Sequence, residues 1–257
     1  MYLENLAVKT MSSTISVFKI LFKERYKDPT LQLMLPTILI GNIFIPAFLE
    51  KGGFQTYALV VAFIPIISLS ETVAFALALR NIIFVLGDHL TSGSIVSFLM
   101  MPIKRRTFFL MSYFLDVILP YLMWLIINVF YLMDIGYWNF MTQILTASFT
   151  AGYFFSTNVI LFLTLTIRSN GATTLASMFI LGSIFIVGGF GNYSLLSTNP
   201  SVLSITSFLN PYPLLLAYAI SSNATYLGYA MSGVLIDFIL AVILLIISFL
   251  IMLRMEV

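Results

Sequence analysis

Residues 229–253 read YAMSGVLIDFILAVILLIISFLIML, with Asp237 as the single acidic or basic residue in 25 positions. A helix of about 20 mostly apolar residues crosses the hydrocarbon of a bilayer. An apolar run of this length has no place on the surface of a water-soluble domain, so lipid is its natural solvent. Five more stretches share the character: 31–49, 57–79, 107–133, 141–167 and 172–190. The expected fold is therefore all-α, an integral membrane domain of six transmembrane helices.

Composition agrees. Charged residues make up 9% of the chain and hydrophobic ones 60%, whereas a soluble domain carries about 25% charged residues. So little charge cannot cover a water-facing surface. At 257 residues the chain holds six spans and has no room for a catalytic domain beside them. It reads as one transmembrane unit, 1–257, with an arm at 1–30 and a helical membrane domain at 31–253. The absence of cysteine excludes disulfides, thiolate metal sites and a cysteine nucleophile. His89 is the lone histidine, so no metal site is expected and His89 reads as a structural loop residue. The first thirty residues lack the apolar core and small-residue cleavage site of a signal peptide.

A seventh apolar stretch, 202–220, is interrupted by Asn210-Pro211-Tyr212-Pro213. Pro211 and Pro213 remove backbone donors and disfavour a straight helix. Such a segment is tolerated at membrane depth where protein buries it, and 191–228 is expected to form an external re-entrant segment between the last two spans.

The twelve basic residues are Lys9, Lys19, Lys23, Arg25, Lys27, Lys51, Arg80, Lys104, Arg105, Arg106, Arg168 and Arg254. With six spans and both termini cytoplasmic, Lys51 alone faces outward, which satisfies the positive-inside rule. The expected location is a prokaryotic plasma membrane. Tyr137, Trp138, Tyr226 and Tyr229 then fall at outer helix ends, the headgroup level that Tyr and Trp favour. In the arm, Ile15, Phe18, Leu21, Phe22 and Tyr26 form an apolar stripe and Lys19, Lys23 and Lys27 a basic one. This pattern suits a helix lying in the membrane interface.

The connection after the second span reads GDHLTSGSIVSFLMMPIKRR, residues 87–106. Ser92 is placed to cap a short helix. Ile95, Phe98 and Leu99 follow at i, i+3 and i+4, an apolar stripe. Pro102 ends the helix, and Lys104, Arg105 and Arg106 precede the next span. The helix is too short to cross a membrane and reads as a cytoplasmic knob offering an apolar face.

Three acids interrupt the spans: Glu71, Asp116 and Asp237. A charge at the bilayer centre costs about 2.5–3.5 kcal/mol on insertion scales, so such groups face the bundle interior. Counted from the inner ends, Glu71 and Asp116 lie at similar depth. They are expected to face each other, sharing a proton, binding a cation or pairing with Arg80. A structural hydrogen-bonding role is the other reading. Asn192-Tyr193-Ser194 and Asn223-Ala224-Thr225 have the form of glycosylation acceptors, both in the outer segment. Gly182, Gly188, Gly189 and Gly191 crowd the outer end of the fifth span. They read either as a close helix contact, such as a dimer seam, or as a flexible exit loop.

This arrangement resembles the permease subunit of type-2 ABC transporters, exporters with six spans per subunit. That family has an acid, a glycine, a short helix ending in a Leu-Leu-x-x-Pro-like run, and a basic residue. The matching positions are Asp88, Gly93, Phe98-Leu99 and Pro102, with Lys104 to Arg106 after them. Phe22-Lys23-Glu24-Arg25-Tyr26-Lys27-Asp28-Pro29, with Pro36, is similar to the family's elbow helix. Phe208-Leu209-Asn210-Pro211-Tyr212-Pro213-Leu214 is similar to its external re-entrant segment. The resemblance implies a pair of permeases, identical or homologous, embedded in lipid. Each short loop helix would then dock as a coupling helix on a separate ABC ATPase subunit that holds ATP and Mg. The chain has no G-x-x-x-x-G-K-[ST] phosphate loop, so no cofactor and no enzymatic chemistry are expected in it, nor a nucleic-acid partner. The competing class is a stand-alone secondary transporter or channel using Glu71, Asp116 and Asp237 as ion sites. An internal repeat would favour it, and none is visible. An intramembrane enzyme ranks last, because no histidine lies within a span.

Overall fold

The computed structural model describes residues 2–26, 71–100, 103–134, 136 and 138–255. The expected first span, the outer part of the second, Lys51, Pro102 and Tyr137 lie outside the described residues. Among the described residues there is no strand. The helices are α1 (Tyr2–Tyr26), α2 (Glu71–Thr91), α3 (Ile95–Leu99), α4 (Arg105–Asp134), α5 (Phe140–Ile167), α6 (Asn170–Thr198), α7 (Leu203–Thr206), α8 (Tyr212–Ser221) and α9 (Ala224–Arg254). Five of these, α2, α4, α5, α6 and α9, are long and apolar enough to cross a membrane. The architecture is that of an all-α membrane protein.

The five long helices alternate in direction. The end of α2 meets the start of α6 through Asp88 and Asn170. The start of α4 meets the end of α9, where Arg105 Nη1 donates to the carbonyls of Leu253, at 3.2 Å, and Met255. A cation on the last carbonyls of a helix opposes its dipole. Lys104, Arg106, Arg168 and Arg254 sit beside these junctions in the chain, and this is called the basic end below. The turns are sharp and chemically specified. Gly136 and Arg168 take positive φ of 72° and 52°. Asn139 forms a capping box with Thr142 at the start of α5.

Helix α5 is the most buried of the five and packs along α9. In lipid, helix association rests on packing and interhelical hydrogen bonds, and α5 supplies both. Asn158 Nδ2 donates to Ala241 O at 3.0 Å, Tyr153 Oη donates to Val117 O at 2.9 Å, and Tyr121 Oη and Thr150 Oγ1 share a hydrogen bond of 3.0 Å.

Two expected helix ends are corrected. Helix α2 continues to Thr91, well past residue 79, so Asp88 and His89 are helical rather than part of a loop. Arg80 does not end the helix because its guanidinium is satisfied by protein, donating to Arg25 O at 3.1 Å. Helix α6 continues through the glycines to Thr198. A Cβ on Gly188 would lie 2.4 Å from Leu209 Cβ, and one on Gly189 would lie 2.9 Å from Asn210 Nδ2. These two glycines admit a neighbouring segment; they do not loosen the chain. Around Gly182 and Gly191 no atom of the described residues lies within 4 Å of an added Cβ.

Three of the long helices contain a wide, π-type turn, at Arg80–Leu86, Phe114–Ile118 and Ser183–Val187. In α4 the cause is readable. The Leu119 N–H bonds to Phe114 O, and the next residue, Pro120, has no N–H. Leu115 O therefore has no helical donor.

Candidate functional site

The free carbonyl of Leu115 is covered by the N-terminal arm. Tyr26 Oη donates to it at 2.5 Å. One residue earlier, the Arg25 guanidinium donates through Nε and Nη2 to the two carboxylate oxygens of Asp116, the Nη2 bond being 3.2 Å. Arg25 Nη1 adds contacts to Leu21 O at 3.4 Å and to Glu24 Oε2 at 3.3 Å. Arg25 and Asp116 are each 1% exposed. Burial alone lowers the Arg25 pKa, but the Asp116 carboxylate outweighs it and holds the guanidinium above its ordinary value. Burial first, and the Asp116 charge second, push the Tyr26 phenol up, so Tyr26 keeps the proton it donates.

This corrects the expected pairing of Asp116 with Glu71 or Arg80. Because α2 runs past Arg80, Glu71 lies nine residues farther from the basic end, about 13 Å at 1.5 Å per residue. The ion-pair partner of Asp116 is Arg25. Glu71 instead lies among tyrosines, within electrostatic reach of Tyr121, Tyr153 and Tyr212. Asp237 is buried in α9, and among the described residues neither of its carboxylate oxygens has a hydrogen-bond partner. The three intramembrane acids do not form one site.

The face of α1 that docks overlaps the expected stripe only in part. Leu21 and Tyr26 are buried together with Val17 and Arg25, and Phe18 packs against the core, whereas Ile15 and Phe22 are exposed. The helix turns the face carrying Arg25 to the bundle because the buried ion pair forms there. Ile15 and Phe22 are left beside Lys19 and Lys23, the disposition of a helix whose outer side meets a membrane surface.

From this latch a second set of bonds reaches α3. His89 bonds Glu24 Oε1 through Nε2 and Ser94 Oγ through Nδ1, both at 2.8 Å. Its ring meets Phe98 edge-on at 4.9 Å between centroids, and Phe98 lies 5.7 Å from the Phe108 ring. Ile95 is buried, and Leu99 packs inward with Phe98. The apolar stripe expected to face a partner is thus folded back onto the bundle. Ser97 and Met100 face outward, Met100 being 75% exposed. Ser92 does not cap α3. Its hydroxyl donates to Asp88 O at 2.6 Å and closes α2, while Gly93 makes the turn with φ of 73°. Asp88 accepts a hydrogen bond from Asn170 Nδ2. Gly87 makes that approach feasible, since a Cβ there would lie 2.6 Å from Asn170 Oδ1. Arg105 is committed to the end of α9 and Lys104 is exposed.

At the opposite end, Asn210 Nδ2 donates to Phe185 O at 2.9 Å, in the wide turn of α6. Pro211 and Pro213 stand at the start of α8, where a missing N–H costs nothing. Asn192 is 0% exposed and donates to Thr206 O and Asn210 O at 3.1 and 2.9 Å. It is a staple and is not accessible to a glycosyltransferase, which corrects that reading. Asn223 is the exposed N-cap of α9. The chain has no cysteine, so single thiols report on this difference. In detergent, Asn223→Cys is expected to react with a polar maleimide at least tenfold faster than Asn192→Cys. Denaturation in dodecyl sulfate should remove the gap.

The latch residues Glu24, Arg25, Tyr26, His89 and Asn170 are the main part of this site that the sequence reading did not join. The spacing of Val17, Leu21 and Arg25 on one helix face, and a proline at position 120 inside a span, were the available signals. Comparison with family models, with curated proteins and with solved structures returns no match.

Proposed function

We propose that the chain is the membrane-embedded permease subunit of an ATP-driven exporter, paired with a second permease and driven by separate ATPase subunits. The observation that supports this reading is the mounting of α3. This short helix caps the basic end and is tied by His89 to the arm, by Phe98 to α4 and, through the end of α2 and Asp88, to α6. A push on such a knob moves several membrane helices together. Its contact surface is Ser97 and Met100, since Phe98 and Leu99 are engaged within the bundle.

The test is co-purification of a tagged chain expressed with its neighbouring genes, scored for an ATPase subunit and for vanadate-sensitive ATP hydrolysis. Ser97→Glu with Met100→Glu should lose the ATPase while keeping the parent's melting temperature. His89→Ala should keep the ATPase and lose most of the hydrolysis stimulated by the membrane subunit. A chain that purifies alone, or outward variants that behave like the parent, overturns the reading.

Asp237 favours one second reading, a stand-alone transporter. A buried carboxyl with no donor among the described residues is the type of group that carries a proton within a membrane. An Asp237→Asn variant that abolishes proton-coupled flux by the purified chain alone would select it.

A further inference from the structure

A groove of about 690 Å³ runs between α4, α5 and α9 in the half of the bundle opposite the basic end. Among the described residues it is open along one side, and it falls within the 300–1,000 Å³ typical of ligand sites. Its depth comes from Ala147 and Ala151, small residues at i and i+4 on α5 that leave room between larger neighbours. From Gln143 to Ala151 the α5 wall spans eight residues, about 12 Å of helix rise.

The chemistry of the walls selects the occupant. Thr146 and Thr150 line the groove, yet their hydroxyls donate to Thr142 O and Thr146 O, each at 2.7 Å. The Tyr121 hydroxyl is held by Thr150 Oγ1 at 3.0 Å. These side chains therefore offer mainly carbon to the interior. Polar character is concentrated at one end, where exposed Gln143 and the indole of Trp138 stand near the start of α5. The open side is bordered by Met231, Leu235 and Phe238, all exposed apolar residues of a helix long enough to cross a membrane. A pocket with carbon walls, a polar mouth and a side opening among lipid-facing residues fits a chain with an apolar tail and a polar head. Tryptophan favours the headgroup level, which sets the direction in which such a molecule lies.

We propose that this groove holds one acyl chain of a phospholipid from the surrounding bilayer, with its headgroup at Trp138 and Gln143. The site lies within a single chain and does not depend on whether an ATPase drives it.

The experiment uses the full chain, reconstituted in vesicles of phosphatidylcholine and phosphatidylglycerol, extracted in mild detergent and weighed by native mass spectrometry. One phospholipid per chain is expected to survive extraction. Ala147→Phe fills the groove and should lower that occupancy at least tenfold with an unchanged melting temperature. Ala147→Leu, a smaller filling, carries the same test if the Phe variant does not purify. Leu175→Phe enlarges a residue that is 71% exposed on α6, away from the groove, and should retain the lipid. Three results overturn the proposal: no retained lipid in the parent chain, equal occupancy after filling, or equal loss in the Leu175 variant.

Discussion

Replacing Asp116 by Ala should destabilise the bundle by about 3–5 kcal/mol, the usual cost of breaking a buried ion pair by removing one partner. The magnitude follows from what remains. Arg25 would keep its charge while losing both carboxylate bonds, and its other acceptors, Leu21 O and Glu24, are longer contacts. The pair is screened little by salt because both groups are buried, so the loss should be nearly the same at 0.05 and 0.5 M sodium chloride. Arg25→Met combined with Asp116→Leu should recover most of it, since apolar replacement of a whole buried pair is often close to neutral. Reversible unfolding in mixed micelles, followed by circular dichroism, checks all three. A single-variant loss below 1 kcal/mol would mean that the arm is not latched through this pair.

Gly233→Ala is the second large effect, and its sign decides between two opposing terms. Exchanging glycine for alanine inside a helix favours the helix by about 1 kcal/mol. Against that, a Cβ at position 233 would lie 2.6 Å from Ser207 O, 2.7 Å from Ser207 C and 3.0 Å from Phe208 N. All three are backbone atoms and cannot swing aside as a side chain can. Overpacking of this kind costs about 1–3 kcal/mol, so the variant should be destabilised and Gly233→Leu more so. Gly182→Ala, where no described residue stands within 4 Å of the added Cβ, should gain up to about 1 kcal/mol. Melting temperatures of the two alanine variants should therefore move in opposite directions. A shift of both in the same direction would refute the close seating of Ser207 and Phe208 on α9.

The long helices were legible because a single quantity, apolar length, governs them. Their ends were not. Arg80 and Asn81 look like a boundary when charge is counted along the chain, and they cease to be one once Arg25 O accepts from Arg80. The site was legible in the same uneven way. The short helix at Ile95–Leu99 and its apolar stripe follow from spacing, but spacing cannot say whether the stripe meets the parent bundle or a partner. Arg25 and Asp116 are 91 residues apart, and no local pattern joins them. Pro120 was the one local clue to the free carbonyl beside Asp116. The outer prolines, read as helix breakers, serve as a helix start, which depends on where the preceding segment ends.

The wide turns of α4 and α6 change what sort of mechanical object each helix is. A regular helix resists bending along its whole length through its own hydrogen bonds. Here Leu115 O and Val117 O accept from Tyr26 and Tyr153, and Phe185 O accepts from Asn210 as well as from the Gly188 N–H of its own helix. Each wide turn accommodates one residue more than a regular one, and one residue corresponds to a swivel of about 100° around the axis. The wide turns of α4 and α6 are therefore places where a phenol or an amide from outside the helix shares the hold on the backbone, and each is a natural hinge point. Lubricating or locking one of them takes a single substitution in the arm, in α5 or in the outer segment, with the membrane helix itself left untouched.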